Sequence, residues 1–435
     1  MDITLRPARI CGTIDIPGSK SHTIRALLIA LFANGISTLH NALDSQDTQA
    51  CIELCRRLGA RITFKTDIPV PSLVIDSTAI ASEKEEITID CANSGTTLYL
   101  ASAMCAAGCT SKSIRFSGDE QLLKRPMEPL LESLRDLGAT IEQKDATTTP
   151  FIIYGPLNGG RTSIECRTSQ YLSALLLSCP MAKGDTTIQV PLLNEKPYVR
   201  MSQYWLEKQK IDYTCNDELS LFHIKGNQSY KPFEEHIGGD YSSATFFFCA
   251  AAMTGGTITV NGLDRSDPQG DKAVLSVLEQ MGCTVEWRGS GVTLNGPQRL
   301  KAGEFDINDI PDALPALAVA SCFADGETKL YNVKQARLKE TDRIATMAHC
   351  INELGGSAVE LDDGLEIHPV ESFTAKEIDG CNDHRIAMSM ALASLRSAGS
   401  LTIRGAQAAA VTFPTFFGLL SKVSVPKEVD SKTSV

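Results

Sequence analysis

The sequence predicts an α/β protein of two domains, each built from three copies of one unit in which an apolar helix packs inside a shell of short strands. Three observations predict it. A glycine followed by a short alternating Ser/Thr-containing strand recurs at Gly35, Gly108, Gly184, Gly256, Gly326 and Gly399, at spacings of 73, 76, 72, 70 and 73 residues. Each glycine closes a run of small apolar residues, such as Leu98 to Ala107 or Phe246 to Met253. These runs are apolar nearly all round, which marks a helix buried on every side. Most units then carry a second, amphipathic helix ending in a shared Leu-Gly or Met-Gly phrase, at Gly59, Gly138, Gly282 and Gly355. A period near 73 residues is too long for a solenoid repeat, and 435 residues usually divide into more than one domain.

Composition narrows the classes of function. The net charge of −11 disfavours a nucleic-acid partner, so any anion site is a local basic cluster on an acidic background. No apolar run reaches the length of a membrane span, and the first ten residues carry no signal-peptide core. A cytoplasmic, monomeric protein is expected. Fourteen cysteines are present without a Cys-x-x-Cys pair, and Cys51 and Cys55 read as thiols rather than zinc ligands. Residues 18–236 are expected to form the first domain and 1–17 with 237–424 the second, with 425–435 a disordered tail. Tyr230 to His236 is the expected hinge.

Taken in order, the starts of the six apolar helices hold the chemistry. The first follows Pro17-Gly18 and offers Lys20, Ser21 and Arg25, with Ser21 the expected N-cap. The second offers Asn93, Ser94 and Gly95, the third Thr168, Ser169 and Gln170, and the fourth Asp240 to Ser243. Pro311-Asp312 begins the fifth, and Asp383-His384-Arg385 the sixth. Each alone is an ordinary cap. Six together, carrying Lys, Arg, His and Asp at the positive ends of helix dipoles, suit a multiply anionic small-molecule substrate. Two further clusters add charge. Lys124-Arg125-Pro126 precedes the second helix of its unit, with Pro126 at the expected first helical position. Arg337-Leu-Lys339-Glu340-Thr-Asp342-Arg343 is expected to open another helix, which places Glu340 and Arg343 three apart on one face.

The stretches PGSKSHTIR, NSGTT, Lys124-Arg-Pro, TSQ, Lys196-Pro-Tyr, IPD, RLKETDR, DHRIAM and Thr412-Phe-Pro, in this order, resemble the enolpyruvyl transferase family on its shikimate-pathway branch. The match runs to about Ser421. The resemblance implies an inside-out α/β barrel in each of two domains, six βαβαββ-type repeats in all, joined by a double crossover. It implies transfer of the enolpyruvyl group of phosphoenolpyruvate to the 5-hydroxyl of shikimate 3-phosphate, with no cofactor and no metal. By the same resemblance Lys20, Arg125, Arg343 and Arg385 bind phosphoenolpyruvate. Ser21 and Arg25 hold the shikimate carboxylate, Thr168 and Ser169 the 3-phosphate, and Gln170 touches both substrates. Tyr198 lies beside the acceptor ring, with Asn93, Gly95, Gln335 and His384 also in the site. Asp312 and Lys339 surround the 5-hydroxyl, and Asp312, Glu340 and Lys20 are the catalytic candidates. A hydroxyl must lose a proton and a methylene carbon must gain one, which calls for a carboxylate base and a nearby acid.

The loop Gly118 to Pro126 lacks the cysteine of the sister branch that uses UDP-N-acetylglucosamine. Five positions depart from the shikimate branch. Tyr99-Leu100 replaces an Arg-Pro, Glu195 a phosphate-binding serine, Val411 a phosphoenolpyruvate-binding lysine, and Gln335 an asparagine. Two alternatives therefore stand beside the first reading: a related transferase with a different, possibly unphosphorylated acceptor, and a non-catalytic anion binder. The carboxylates Asp312 and Glu340 argue against the last, since binding alone needs no acid/base pair. Glyphosate mimics a cationic state at the phosphoenolpyruvate site of the family. With Val411 and Leu100 in place of Lys and Pro, weakened inhibition is expected; a sub-micromolar inhibition constant in a phosphate-release assay contradicts it.

Overall fold

Six short sheets carry the chain in the computed structural model, which describes residues 1–66, 70–78, 86–109, 113–143 and 150–426. The chain divides into two units. One holds residues 17–238 with 266–270, and the other 1–16, 239–265 and the described residues from Asp271 onward. The crossings fall after Ile16 and Gly238. The expected hinge is displaced: Glu234–His236 is a strand, paired in parallel with Thr38 to His40. The short return of 266–270 to the first unit is not visible in the sequence; there Asp267 Oδ1 lies 3.2 Å from His22 Nε2.

Five of the sheets share one plan. Two parallel strands flank a buried helix, and an antiparallel pair follows, as in Glu86–Asp90, Ser113–Ser117, Phe151–Tyr154 and Thr140–Gln143. In each unit the chain ends complete the set. Glu234–His236 supplies the first strand of the sheet that begins the first unit. In the other unit Ala8–Asp15 and Ile3–Leu5 pair with Thr257–Asn261 and Leu401–Arg404 respectively. Alternation sets the inner face: Ile87 and Ile89 are buried, while Glu86, Thr88 and Asp90 are exposed.

Inside the sheets lie six helices: α1 (Lys20–Leu31), α2 (Gly95–Gly108), α3 (Ser169–Ser178), α4 (Tyr241–Thr254), α5 (Leu314–Ser321) and α6 (His384–Ser394). Nearly every residue of each is buried, as the all-round apolar runs predict. The first three join one core with Leu39, Phe116 and Phe222, and the last three a second with Val260, Leu330 and Ile403. The amphipathic helices, such as Gln46–Arg57, bury one face and show charge on the other. Its start is locked by a reciprocal cap between Ser45 and Thr48. Among the described residues no helix is long and apolar enough to cross a membrane. All fourteen cysteines are free, and Cys51 and Cys55 sit in the core.

Several local expectations change. The cap of α1 is Ser19, two residues earlier than Ser21, because Lys20 and Ser21 already have helical conformation. Pro126 precedes its helix, which starts at Glu128; its carbonyl instead accepts from the Tyr99 and Tyr171 hydroxyls at 3.1 and 2.6 Å. Helix Arg343–Glu353 starts at the end of the RLKETDR stretch, because the Asp342 carboxylate caps the Ala345 amide at 3.0 Å. Val425 and Pro426, placed in the tail by sequence, form a strand on Ala8 to Ile10; the rest of the expected tail, 427–435, lies outside the described residues.

None of the six recurrent glycines has a left-handed φ, and at Gly256 the residue serves close approach instead. A Cβ on Gly256 would fall 1.9 Å from the Ile10 carbonyl oxygen, a backbone atom that cannot swing aside. The left-handed turns belong to the second glycine family, as at Gly59 with φ 104°. Gly256→Ala is therefore expected to cost about 1–3 kcal/mol by forcing two strands apart. A urea midpoint within error of the parent's counts against this account.

Candidate active site

In the unit of residues 17–238 the starts of α1, α2 and α3 are tied by side chains from their first two turns. Arg25, in the second turn of α1, is 2% exposed. Its Nε donates to Ser202 Oγ at 3.0 Å, and its Nη2 to Ser173 Oγ of α3 at 3.3 Å and to the Tyr198 carbonyl at 3.2 Å. Its Nη1 donates to the Ser21 carbonyl at 3.0 Å. Burial lowers the guanidinium to about 10, with the Tyr198 hydroxyl opposing that shift. Lys20 Nζ pairs with the buried Asp47 at 3.0 Å, which fixes the ammonium at the helix start. His22 of the same stretch plays a packing part: its Nδ1 accepts from Trp205 Nε1 at 2.9 Å.

Arg125 is buried against the start of α2. A Cβ on Gly95 would meet its Nη1 at 2.2 Å, so glycine there is what lets the guanidinium lie over the helix end. Asn93 Nδ2 donates to Asp119 and Gln121 at 2.7 and 2.8 Å, which holds the loop that carries Arg125. Tyr99 of α2 meets Tyr171 of α3 edge-on, ring centroids 5.4 Å apart. Thus the Tyr99 that departs from the family pattern helps seat Pro126.

At α3, Thr168 is the cap, and its Oγ1 accepts from the Gln170 amide at 3.4 Å. Glu195, 1% exposed, fills this helix start. Its Oε2 accepts from Ser169 Oγ at 2.7 Å, from the Ser169 amide at 3.1 Å and from Thr168 Oγ1 at 3.2 Å. Gln170 Oε1 is buried with no partner among the described residues.

In the other unit the starts of α4, α5 and α6 meet through two arginines. Arg385 Nη2 donates to Ser242 Oγ of α4 at 2.7 Å and to Asp312 Oδ2, beside α5, at 2.8 Å. Arg343, 1% exposed in its side chain, donates from Nε to Asp383 Oδ2 at 2.9 Å and from Nη1 to Asp312 Oδ1 at 2.9 Å. Its Nη2 pairs with Glu340. Asp383 is wholly buried and also accepts from Thr341 Oγ1 at 3.0 Å and from the Arg385 amide at 2.8 Å. Burial alone would raise the Asp383 carboxyl; the Arg343 guanidinium overrides this and holds it below the usual carboxylate range. Two cations and three carboxylates thus form one network, with charge compensation that a lone buried ion would lack.

His384 lies within this network, 1% exposed, and neither ring nitrogen has a partner among the described residues. Burial drives its pKa down to about 3, against the pull of Glu340 and Asp383. One ligand atom each from Glu340, Asp383 and His384 fall within 4.8 Å of one another, but Arg343 supplies the positive charge at this point. Gln335 Nε2 donates to the Asn308 carbonyl at 3.0 Å, and Lys339 ends the short helical turn before Glu340.

Of the candidates named from sequence, Lys20, Ser21, Arg25, Thr168, Ser169 and Arg125 lie at the helix starts of the first set, and Asp312, Glu340, Arg343, His384 and Arg385 share the second, while Gln335 is tied to the Asn308 carbonyl. Sequence reasoning did not single out Asp383, Asp47, Ser173 or Ser202 as partners. Asp383 alone carried a signal, as an Asp directly before a helix with two charged residues. The neutral state of His384 has a stability consequence. The unfolded chain binds a proton near pH 6.5 that the folded chain refuses down to about 3, so stability falls on acidification through that window. The slope is at most about 1.4 kcal/mol per pH unit. His384→Gln is expected to flatten the fall in urea-unfolding free energy between about pH 6 and 4.5; an unchanged slope contradicts a buried neutral His384.

Comparison with known proteins places this architecture. The family model described as EPSP synthase (3-phosphoshikimate 1-carboxyvinyltransferase) matches residues 5–420. A 3-phosphoshikimate 1-carboxyvinyltransferase of Acetivibrio thermocellus is 44% identical over 97% of this chain and 98% of its own length. One from Methanocella arvoryzae is 39% identical over 97% and 98%. The solved EPSP synthase of Acinetobacter baumannii superposes with a TM-score of 0.80 at 27% identity, over 98% of both chains. With buried helix starts that carry the family's motifs and a model match over nearly its whole length, the chain belongs to the EPSP synthase family.

Proposed function

We propose that the two residue sets divide the work of the family's reaction, in which this chain transfers the enolpyruvyl group of phosphoenolpyruvate to the 5-hydroxyl of shikimate 3-phosphate and releases phosphate. One observation carries the assignment of chemistry: Asp312, Glu340, Arg343, Asp383, His384 and Arg385 share a single buried network. A protein that merely held anions would need no proton acceptor and donor there, and Asp312 and Glu340 can supply both.

The roles follow from the chemistry. Asp312 takes the proton of the 5-hydroxyl as its oxygen attacks the C2 carbon of phosphoenolpyruvate, and Glu340 delivers a proton to the methylene carbon, which becomes a methyl group. In the second step Glu340 takes a methyl proton back, the bond from carbon to the phosphate oxygen breaks, and the proton held by Asp312 leaves with phosphate. Lys20 is the other candidate for the proton at carbon. Lys20, Arg125, Arg343 and Arg385 neutralise the phosphate and carboxylate of phosphoenolpyruvate as charge shifts between them. Preset geometry makes this inexpensive: Arg343 and Arg385 are already held by Asp383 and Asp312 and need not be reorganised when charge develops. Ser21 and Arg25 face the acceptor carboxylate, Thr168 and Ser169 its phosphate, and Gln170, Tyr198, Asn93, Gly95, Gln335, Lys339 and His384 complete the two surfaces. No redox or group-carrying cofactor is called for, since one C–O bond forms and another breaks with no change of oxidation state, each step assisted by proton transfer. We place the protein in the cytoplasm; among the described residues no helix is long and apolar enough to cross a membrane.

Glu340→Gln tests the assignment. Phosphate release with phosphoenolpyruvate and shikimate 3-phosphate is expected to fall by about 10²- to 10⁴-fold in kcat, while shikimate 3-phosphate binding stays within about threefold, as expected for loss of an acid/base group rather than a substrate contact. Turnover equal to the parent's removes Glu340 from the mechanism.

A further inference from the structure

The start of α3 poses a problem that the reaction does not absorb. Thr168 and Ser169 are the residues assigned to the acceptor's phosphate, yet their hydroxyls and the Ser169 amide already donate to Glu195 Oε2, at 3.2, 2.7 and 3.1 Å. The carboxylate is 1% exposed, so it is seated in the donor set rather than resting at its rim. Its placement is built in by the backbone. Glu195 has φ 57° and ψ 42°, a left-handed conformation that non-glycine residues rarely adopt, directly before helix Lys196–Lys208. It leaves the Glu195 carbonyl to accept the Tyr198 amide at 3.1 Å while the side chain reaches the end of α3. Each hydroxyl has one proton to give and each amide one, so three donors engaged by one anion are not available to another. A second anion in the same place would also face the first at close range in a site shielded from water, where like charges repel strongly.

We propose that Glu195 is an internal stand-in for the acceptor's phosphate, and that shikimate 3-phosphate must displace it from Thr168 and Ser169 to bind. The inference rests on the acceptor assignment made above. It makes Glu195 a specificity-determining residue: the carboxylate penalises acceptors that bring a phosphate to α3 and leaves unphosphorylated shikimate unaffected. It also explains how a carboxylate can stand at this position of the motif without leaving a buried charge unpaired when the site is empty. Displacement exchanges one set of charge-assisted hydrogen bonds for another, so the phosphate gains only the difference.

The test compares the parent chain with E195Q and E195S. Glutamine keeps the size but removes the charge, and serine removes the reach as well; thermal melts establish that both variants are folded. Binding of shikimate 3-phosphate and of shikimate is measured by calorimetry without phosphoenolpyruvate, and turnover is followed by phosphate release. Both variants are expected to bind shikimate 3-phosphate about tenfold or more tighter than the parent, the scale of a charge-assisted bond, with a matching fall in KM. Shikimate affinity is expected to change by less than about threefold, since no charge-assisted bond at α3 is at stake for it. Unchanged or weaker shikimate 3-phosphate binding by both variants, in a parent that turns it over, overturns the inference and leaves the functional reading standing. If the parent and both variants neither bind shikimate 3-phosphate nor release phosphate with it, the acceptor assignment fails and the inference falls with it.

Discussion

A helix that is apolar on every side must be buried, and a buried helix still has N–H groups at its start that no residue of the helix can satisfy. Most of the arrangement follows from meeting that constraint six times. The sheets supply walls for α1 to α6, so polar groups are left at the helix ends. There the unsatisfied amides and the helix dipole demand either a cap or an anion. Ser19, Ser94, Thr168, Asp240 and Asp383 answer as caps, and the turn Pro311–Ala313 leads into α5 with Asp312 beside it. Chemistry collects at these points because they are the places where the core tolerates charge.

Once charge is admitted there, it must be balanced locally. Arg343 and Asp383 are both essentially inaccessible to water, and separating them would strand each ion in a medium that solvates it poorly. Asp312 links the same arginine to Arg385, and Arg385 reaches Ser242. The network therefore fixes several side chains at once, and loss of any member disturbs the rest. In the proposed roles, its rigidity would serve catalysis for the same reason that it serves stability: groups already oriented toward one another reorganise little when a substrate's charge moves. His384 is the exception in the cluster. Kept neutral by burial, it adds no charge to the balance set by the arginines and carboxylates around it.

Much of this was legible in the sequence, and the failures have physical causes. The all-round apolar runs and their near-73-residue spacing are local signals, so the six buried helices and their starts could be read directly. The motif residues could be assigned by resemblance because they sit at those starts. Pairings across the fold were not readable. Arg343 and Asp383 are 40 residues apart in the chain and Arg25 and Ser202 177 apart, and no local pattern joins them. Fine placement was also hidden. Ser19 and Ser21 are both good caps by type, and only the path out of Pro17-Gly18 decides between them. The recurrent glycines looked like helix caps because cap glycines are common; close approach of a second strand, as at Gly256 and Ile10, leaves the same residue in the sequence.

The caps differ between the two units in a way that matters for what each can bind. In residues 17–238 the helix starts are capped by hydroxyls, Ser19, Ser94 and Thr168, which satisfy an amide while leaving the positive dipole uncancelled. Such an end remains open to an anion. In the other unit Asp240 and Asp383 cap with carboxylates, which cancel the dipole and can hold a cation instead, as Asp383 holds Arg343. The first kind of end suits an anionic acceptor; the second suits guanidinium groups that must be held in place to act. Glu195 breaks the pattern by bringing a carboxylate to a hydroxyl-capped helix. That end of α3 is treated as if it belonged to the other kind of site, but with a side chain borrowed from 26 residues away rather than from the cap itself. A cap is fixed by its own backbone, whereas the Glu195 carboxylate sits at the end of a rotatable side chain, and on our proposal that difference is what keeps α3 available to a substrate phosphate.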